Sequence, residues 1–234
     1  MRILVTRPLE ENRRLLQLLQ KEHFQCDAAP LLDIQSTPAG HLPPNIQAVV
    51  VTSINAARRL KDWNVSMNAP TFAVGRQSAK VLEEAGYTNI QHTEGGAEVL
   101  LEKLLQDLSP DQGMVVHAAG DVVRVDIAER LKEKGFSAQR VVLYHAIPTP
   151  SLPHDVQERL KSEEYSYITF FSPRTAEVFW QAVNSAKIPV SCVADTTAVC
   201  MSNAVAQAVH AQVWKEVRVG ADPTLESLVA CLRS

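Results

Sequence analysis

The sequence predicts an α/β protein of two doubly wound parallel-sheet domains joined by a two-stranded linker, one domain discontinuous. Three observations lead there. First, short apolar runs alternate with amphipathic helical stretches along the whole chain, the pattern of parallel sheets covered by helices. Second, the chain repeats itself where strands turn into helices. Residues 49–57, Val-Val-Val-Thr-Ser-Ile-Asn-Ala-Ala, have a partner at 168–176, Ile-Thr-Phe-Phe-Ser-Pro-Arg-Thr-Ala. Residues 71–79 face 191–198 in the same way. Ser53 then maps on Ser172 and Ser78 on Thr197; 172 − 53 and 197 − 78 both give 119. One offset kept over two motifs argues for two similar units whose sheet mouths would form a cleft. Third, the strands divide unequally along the chain, which sets the domain boundaries below.

The elements follow in order. Ile3–Thr6 is a short strand, and Leu15, Leu18 and Leu19 stripe a helix running to about Glu22. Residues 25–34 read as one strand ending in Pro30-Leu-Leu-Asp-Ile34, before a loop rich in Pro, Gly and Ser at 36–44. Val49–Thr52 is a strand, and Ser53 is placed to cap a helix through Trp63. Thr71–Val74 is a strand, Gly75 opens a helix, and Gly86 closes it. A short strand at 89–92 and Gly95-Gly96 lead into a helix near 97–108. Met114–His117 is a strand, Gly120 a turn, and Val123, Ile127 and Leu131 stripe the next helix. Gln139–Ile147 is a long strand ending in Pro148-Thr-Pro150. The remainder reads as helix 153–162, strand 167–171, helix 174–184, strand 190–194, helix 196–209, strand 213–219 and helix 223–232.

The stretch between Ser36 and Ile147 thus holds enough strands for a complete doubly wound, flavodoxin-like sheet. The stretch after Pro150 does not, and needs the two N-terminal strands. The domains are therefore expected at 38–146, inserted, and at 1–34 with 150–234. Hinge crossings fall at 35–37 and 147–149.

Composition excludes several function classes. The chain has 234 residues, 46% hydrophobic and 21% charged, with a net charge of −3. That balance does not support nucleic-acid binding. No apolar run approaches the ~20 residues of a membrane span, and Met-Arg-Ile-Leu-Val-Thr-Arg-Pro reads as leading directly into a strand and a polar helix rather than as a signal peptide. Cys26, Cys192, Cys200 and Cys231 lack a C-x-x-C pair and read as reduced, mostly buried thiols of a cytoplasmic protein. The histidines show no metal-ligand spacing and read as scattered surface or sheet-edge residues. There is no G-x-G-x-x-G, P-loop or G-x-S-x-G. The paired acids Glu10-Glu11, Glu83-Glu84 and Glu163-Glu164 read as solvated helix faces.

In doubly wound sheets ligands bind beyond the carboxyl ends of the strands, where helix N-termini point N–H groups outward. The sequence places Thr6, Arg7, Thr52, Ser53, Gly75, Arg76, Ser78, Gly96, Gly120, Arg124, Ser172, Arg174, Thr196 and Thr197 at such turns. Glycine admits a ligand to the backbone, hydroxyls donate or accept, and arginines meet anions. Each hydroxyl alone could be a plain helix cap; repetition across two units is what singles them out. Tyr144 lies near the second crossing, either as a packed hinge aromatic or as a phenol beside the cleft.

These residues resemble the uroporphyrinogen-III synthase family over essentially the whole chain. The resemblance rests on Leu4-Val-Thr-Arg-Pro8, Pro30–Ile34, Val51–Ala56, Ala73-Val-Gly75 with Ser78-Ala79, Gly120 with Arg124, and Val142-Leu-Tyr144. It continues in Phe170-Phe-Ser-Pro173, Thr196-Thr-Ala198 and Pro223-Thr-Leu225. It implies closure of hydroxymethylbilane, a linear tetrapyrrole with eight carboxylates, to uroporphyrinogen III and water, with inversion of ring D. The ring A hydroxyl would leave to give an azafulvene, and attack at the substituted carbon of ring D would give a spiro intermediate that fragments and recloses. The resemblance further implies two α/β domains with a two-stranded linker, no metal and no organic cofactor. Tyr144 becomes the catalytic candidate, assisting hydroxyl departure. The other turn residues become substrate contacts in a monomeric cytoplasmic enzyme of haem biosynthesis, with room for transient contact with the preceding pathway enzyme. Where the family has Gly-Pro-Thr-Thr before the late helix, this chain reads Ala194-Asp-Thr-Thr197, which would set Asp195 near a polyanionic substrate. Two other readings stand beside the synthase: a non-catalytic two-domain protein binding an anionic small molecule, and an inactive relative.

Overall fold

The computed structural model describes residues 1–149, 151–222 and 224–233, the side chains of residues 9–11, 13, 14 and 211 apart. Pro150, Pro223 and the side chains of Glu10 and Glu11, named above, lie outside the described residues. In chain order the elements begin with β1 (Arg2–Val5), α1 (Leu9–Lys21), β2 (Gln25–Ala28), β3 (Leu32–Ser36), β4 (Ile46–Val51) and α2 (Ile54–Arg59). Next come β5 (Thr71–Val74), α3 (Arg76–Glu84), β6 (Ile90–Thr93), α4 (Ala97–Asp107), β7 (Met114–Gly120), α5 (Ile127–Lys132) and β8 (Ala138–Pro148). The chain continues through α6 (His154–Lys161), β9 (Tyr167–Phe170), α7 (Pro173–Ser185), β10 (Thr197–Cys200), α8 (Asn203–Ala208), β11 (Glu216–Val219) and α9 (Leu225–Ala230).

The described residues divide into two compact units, 1–33 with 147–234 and 34–146. The first holds a five-stranded sheet in the order β11-β10-β9-β1-β2, parallel throughout. Renumbered within the unit this is the flavodoxin-like order, with the switch point between β1 and β9. The second holds β8-β7-β4-β5-β6, parallel, with β3 added at the edge beside β8. There the chain winds one way through β4, β5 and β6, then the other way through β7 and β8. This is the companion doubly wound order, with its switch point between β4 and β7.

Both sheets are buried on two faces, so alternate residues of one strand enter different cores. Val49 and Val51 share a core with α2, the 3-10 turn Leu60–Trp63 that follows it, and α3 through Ala56, Leu60 and Leu82. Their neighbours Ala48 and Val50 pack with α4 and α5 through Leu100, Leu104, Ile127 and Leu131. Full burial of each Leu or Val side chain contributes about 1.5–3 kcal/mol. In the first unit Phe170, Phe179, Trp180 and Trp214 form an edge-on and tilted aromatic cluster beside β9.

Four readings of elements are corrected. Residues 25–34 form two strands in different sheets, β2 and β3, broken at Pro30, which has no N–H to offer a ladder. The strand expected at 190–194 is a short 3-10 helix, Val190–Val193, entered through Pro189. The helix expected at 196–209 is strand β10 followed by α8, because Thr197-Ala-Val-Cys200 is buried on both faces and rich in β-branched residues. Val123 does not belong to a helix; α5 starts at Ile127, where the Asp126 carboxylate accepts from Ala128 N and Glu129 N.

Candidate functional site

Beyond the carboxyl ends of β4, β5 and β7 and against Tyr144 of β8, in the unit 34–146, lies a cavity of about 270 Å³. Thr52, Ser53, Val74, Gly96, Ala97, Gly120, Arg124 and Tyr144 line it, with Val122, Val123 and Val125. It stands at the switch point, where the chain leaves β4 and β7 in opposite directions and a crevice must open.

Each polar wall residue is held there by local structure. Ser53 is extended (φ −150°, ψ 152°) and caps α2, its Oγ accepting from Ala56 N at 3.1 Å. The same Oγ lies 3.1 Å from the Tyr144 hydroxyl. A serine oxygen that accepts from a backbone N–H still has its own proton to give. Either hydroxyl of the Ser53–Tyr144 pair can be the donor. Tyr144 comes from β8, where the register against β7 shifts between Ala119 and Gly120 and sets Tyr144 opposite Gly120. The local irregularity re-aims the side chain. The ring is 8% exposed, with the Arg59 guanidinium 5.6 Å from its centroid. It lies so close to Gly120 that a Cβ there would come within 2.7 Å of the ring. Only glycine leaves room.

Arg124 is largely exposed and sits 3.9 Å from Glu98 at the start of α4, a weak solvent-screened pair that a ligand anion could replace. Gly96 caps α4, so the first-turn N–H groups of an 11-residue helix face the cavity. Asp121 lies just outside. Burial pushes its carboxyl up, but hydrogen bonds from Ala146 N, His145 and Val122 N hold it below the ordinary range.

Thr52 leads inward. Its Oγ1 is 3.1 Å from His117 Nε2, and His117 is fully buried in the middle of β7. His117 Nδ1 is 3.5 Å from Asp126 Oδ1, and Arg140 Nε is 3.2 Å from Asp126 Oδ2. Burial pushes the imidazole below its ordinary pKa, opposed by the Asp126 carboxylate and reinforced by Arg140.

The structure therefore brings together six of the residues singled out from the sequence: Thr52, Ser53, Gly96, Gly120, Arg124 and Tyr144. Gly75, Arg76 and Ser78 do not line this cavity. Arg76 is exposed and pairs with Glu94 at 3.4 Å, and Ser78 is buried within α3. In the first unit, Thr6 turns its hydroxyl to Thr169 O at 2.6 Å, and Arg7 stacks over Phe171 at 5.0 Å. Ser172 caps α7 with the backbone of Ser53 (φ −150°, ψ 155°), its Oγ accepting from Thr175 N, and Arg174 follows in the first turn.

Thr196 and Thr197 are corrected. They stand at the amino end of β10, Thr197 in register with Tyr167, with Thr196 Oγ1 donating to Tyr165 O at 2.9 Å. The residues at the carboxyl turn of β10 are Met201 and Ser202, the latter preceding α8. The second half of the repeat is shifted accordingly: Thr71 and Thr197 both open strands, and 197 − 71 gives 126. Asp195 is exposed on the amino side, away from the turn where the sequence reading set it.

His117 is also corrected, from scattered edge residue to a buried member of a central strand. Its signal was available: a titratable side chain inside Met114-Val-Val-His-Ala-Ala must be satisfied from within. The apolar wall of Val122, Val123 and Val125 was masked by its helical spacing. Among the described residues no cluster of three His, Cys, Asp or Glu side chains is placed to hold a metal ion. No helix among them is long and apolar enough to cross a membrane.

Comparison with known proteins gives a consistent picture. The family model HEM4, described as uroporphyrinogen-III synthase HemD, matches residues 13–230. The porphyrin biosynthesis protein HemD of Ruminiclostridium josui is 26% identical over 245 aligned residues, which take in 97% of this chain and 47% of that protein. The chain thus spans about half the length of this curated relative. The crystal structure of uroporphyrinogen-III synthetase from Helicobacter pylori superposes with a TM-score of 0.68 at 18% identity, covering 100% of this chain and 99% of that one. A mutant uroporphyrinogen III synthase from Thermus thermophilus gives 0.61 at 17% identity, covering 100% and 97%. At these identities the two structures show a shared fold.

Proposed function

The chain belongs to the uroporphyrinogen-III synthase family, and from that premise we propose that it closes hydroxymethylbilane to uroporphyrinogen III and water with inversion of ring D. The observation that carries the reading is the pairing of Tyr144 and Ser53 at 3.1 Å on the wall of the switch-point cavity. Departure of the ring A hydroxyl needs a proton or a strong hydrogen bond at the leaving oxygen. A phenol whose own oxygen is held by Ser53 supplies it, while Ala56 N–H fixes the serine. The rest of the task is positioning, since the substrate contains both reacting ends.

Arg124 and the first-turn amides of α4 are the proposed carboxylate contacts of the cavity. Ser172 and Arg174 have the same character at the carboxyl edge of the first unit's sheet. The reading has the chain act as a cytoplasmic monomer on a linear tetrapyrrole.

The test supplies enzymatically generated hydroxymethylbilane and resolves the oxidised porphyrin isomers. Dominant isomer III is expected. Isomer I alone, at the rate of a protein-free control, would reject the synthase and leave a binding protein or an inactive relative.

A further inference from the structure

The cyclisation reading gives no task to the polar chain that runs back from Thr52. We propose that His117 is a positioning residue, held by Asp126, that makes the Thr52 hydroxyl present a hydrogen-bond acceptor to the cavity for a pyrrole-type N–H of the ligand. The ligand class rests on the tetrapyrrole reading above; the orientation of the hydroxyl rests on geometry alone.

A neutral imidazole has one donor nitrogen and one acceptor nitrogen. Nδ1 faces Asp126 Oδ1 at 3.5 Å, an electrostatic contact longer than a good hydrogen bond, and no hydrogen-bond partner reaches it among the described residues. A carboxylate can only accept, and this one is pinned: Oδ1 takes Ala128 N at 3.1 Å and Glu129 N at 3.4 Å, and Oδ2 faces Arg140 Nε at 3.2 Å. Placing the Nδ1 lone pair against it in a buried site would set two acceptors face to face. The proton therefore sits on Nδ1 and Nε2 is the acceptor. At 3.1 Å from Nε2, Thr52 must donate. A threonine hydroxyl has one proton, so what remains towards the cavity is a lone pair.

The groups that face His117 agree. Thr52 comes from the end of β4, Arg140 is its register partner on β8, and Asp126 heads α5. Burial keeps the ring neutral. An imidazolium would donate from Nε2, release the threonine proton and invert the polarity that Thr52 shows. The cavity then has two adjacent wall positions of opposite sense. Tyr144 offers a donor to a leaving hydroxyl, and Thr52 offers an acceptor, which suits an N–H and disfavours a carboxylate. A buried polar group left unpaired by the wrong ligand orientation penalises that orientation strongly.

Two measurements decide it. In the full ¹⁵N-labelled chain, the ring nitrogens of His117 are assigned by their loss in His117→Gln. A protonated Nδ1 with an unprotonated Nε2 at neutral pH is expected; a protonated Nε2, alone or in an imidazolium, overturns the proposal. In kinetics with hydroxymethylbilane, Thr52→Val and His117→Leu each raise KM on the order of tenfold while kcat changes little. The double variant is no worse than the poorer single, because both break one device. His117→Gln, whose side-chain oxygen can accept from Thr52, recovers most of the loss. Independent, multiplying losses, or a fall in kcat with KM unchanged, overturn the proposal. Should no variant and no wild-type chain form isomer III, the function reading fails, while the nitrogen spectrum still decides the orientation of Thr52.

Discussion

Replacing Gly120 by alanine tests whether the placement of Tyr144, rather than its presence alone, carries the reaction. A methyl at this position would lie 2.7 Å from Cζ, 2.9 Å from Cε2 and 2.9 Å from Oη of Tyr144. Non-bonded carbons settle at about 3.5–4.0 Å, so the ring has to retreat by about 1 Å. It has little freedom to do so: the ring is packed to 8% exposure and its hydroxyl is held 3.1 Å from Ser53 Oγ. That contact is already at the long end for two hydroxyls, and a further ångström abolishes it. A misplacement of about 1 Å costs on the order of 100-fold in rate. Overpacking costs about 1–3 kcal/mol of stability, which leaves the chain folded at assay temperature. The assay follows isomer III from enzymatically generated hydroxymethylbilane, with a thermal melt run on the same sample. Gly120→Ala within about twofold of wild type, with its fold intact, would refute the reasoning.

Tyr144→Phe keeps the ring and removes only the hydroxyl, so a loss of about 10- to 100-fold is expected, less than a full acid–base contribution because positioning survives; a loss below about twofold removes Tyr144 from the chemistry. Because burial holds His117 below its ordinary value of about 6.5, the unfolded chain takes up that proton first. Its contribution to stability is complete above about pH 6.5 and falls as pH drops towards the folded-state value; His117→Gln should flatten that part of a denaturant-midpoint profile. Thr196→Val removes a buried donor to Tyr165 O at the amino edge of its sheet. Stability should drop by about 1 kcal/mol in urea unfolding, while KM for hydroxymethylbilane stays within about twofold.

How much of this was legible in the sequence depended on which period governed each stretch. The βα alternation was plain wherever a helix showed an apolar stripe and a strand ended in a turn residue, as at Val51-Thr-Ser53 and Phe170-Phe-Ser172. Those two serines cap their helices with the same backbone geometry, which is why the 119-residue offset is real there. It failed at Thr197, because Thr197-Ala-Val-Cys200 is buried on both faces and carries no alternation to separate strand from helix. The loop at 121–126 was read as helix since Val123 and Ile127 happen to sit four apart, whereas Asp126 is the cap that fixes the start. The site was half legible. Turn residues past strands could be named, but Thr6, Ser78 and Thr196 turn inward, and no pattern of spacing tells an inward hydroxyl from an outward one. The chain from Thr52 through His117 to Asp126 and Arg140 joins four separate segments, so only the fold could assemble it.

A single-turnover experiment, with the purified chain in excess over freshly made hydroxymethylbilane, addresses the core of the account. Synthase activity requires the bilane to vanish faster than it closes on its own and the porphyrin recovered to be isomer III. Bilane that persists for its spontaneous lifetime or longer, and then yields isomer I, would contradict it.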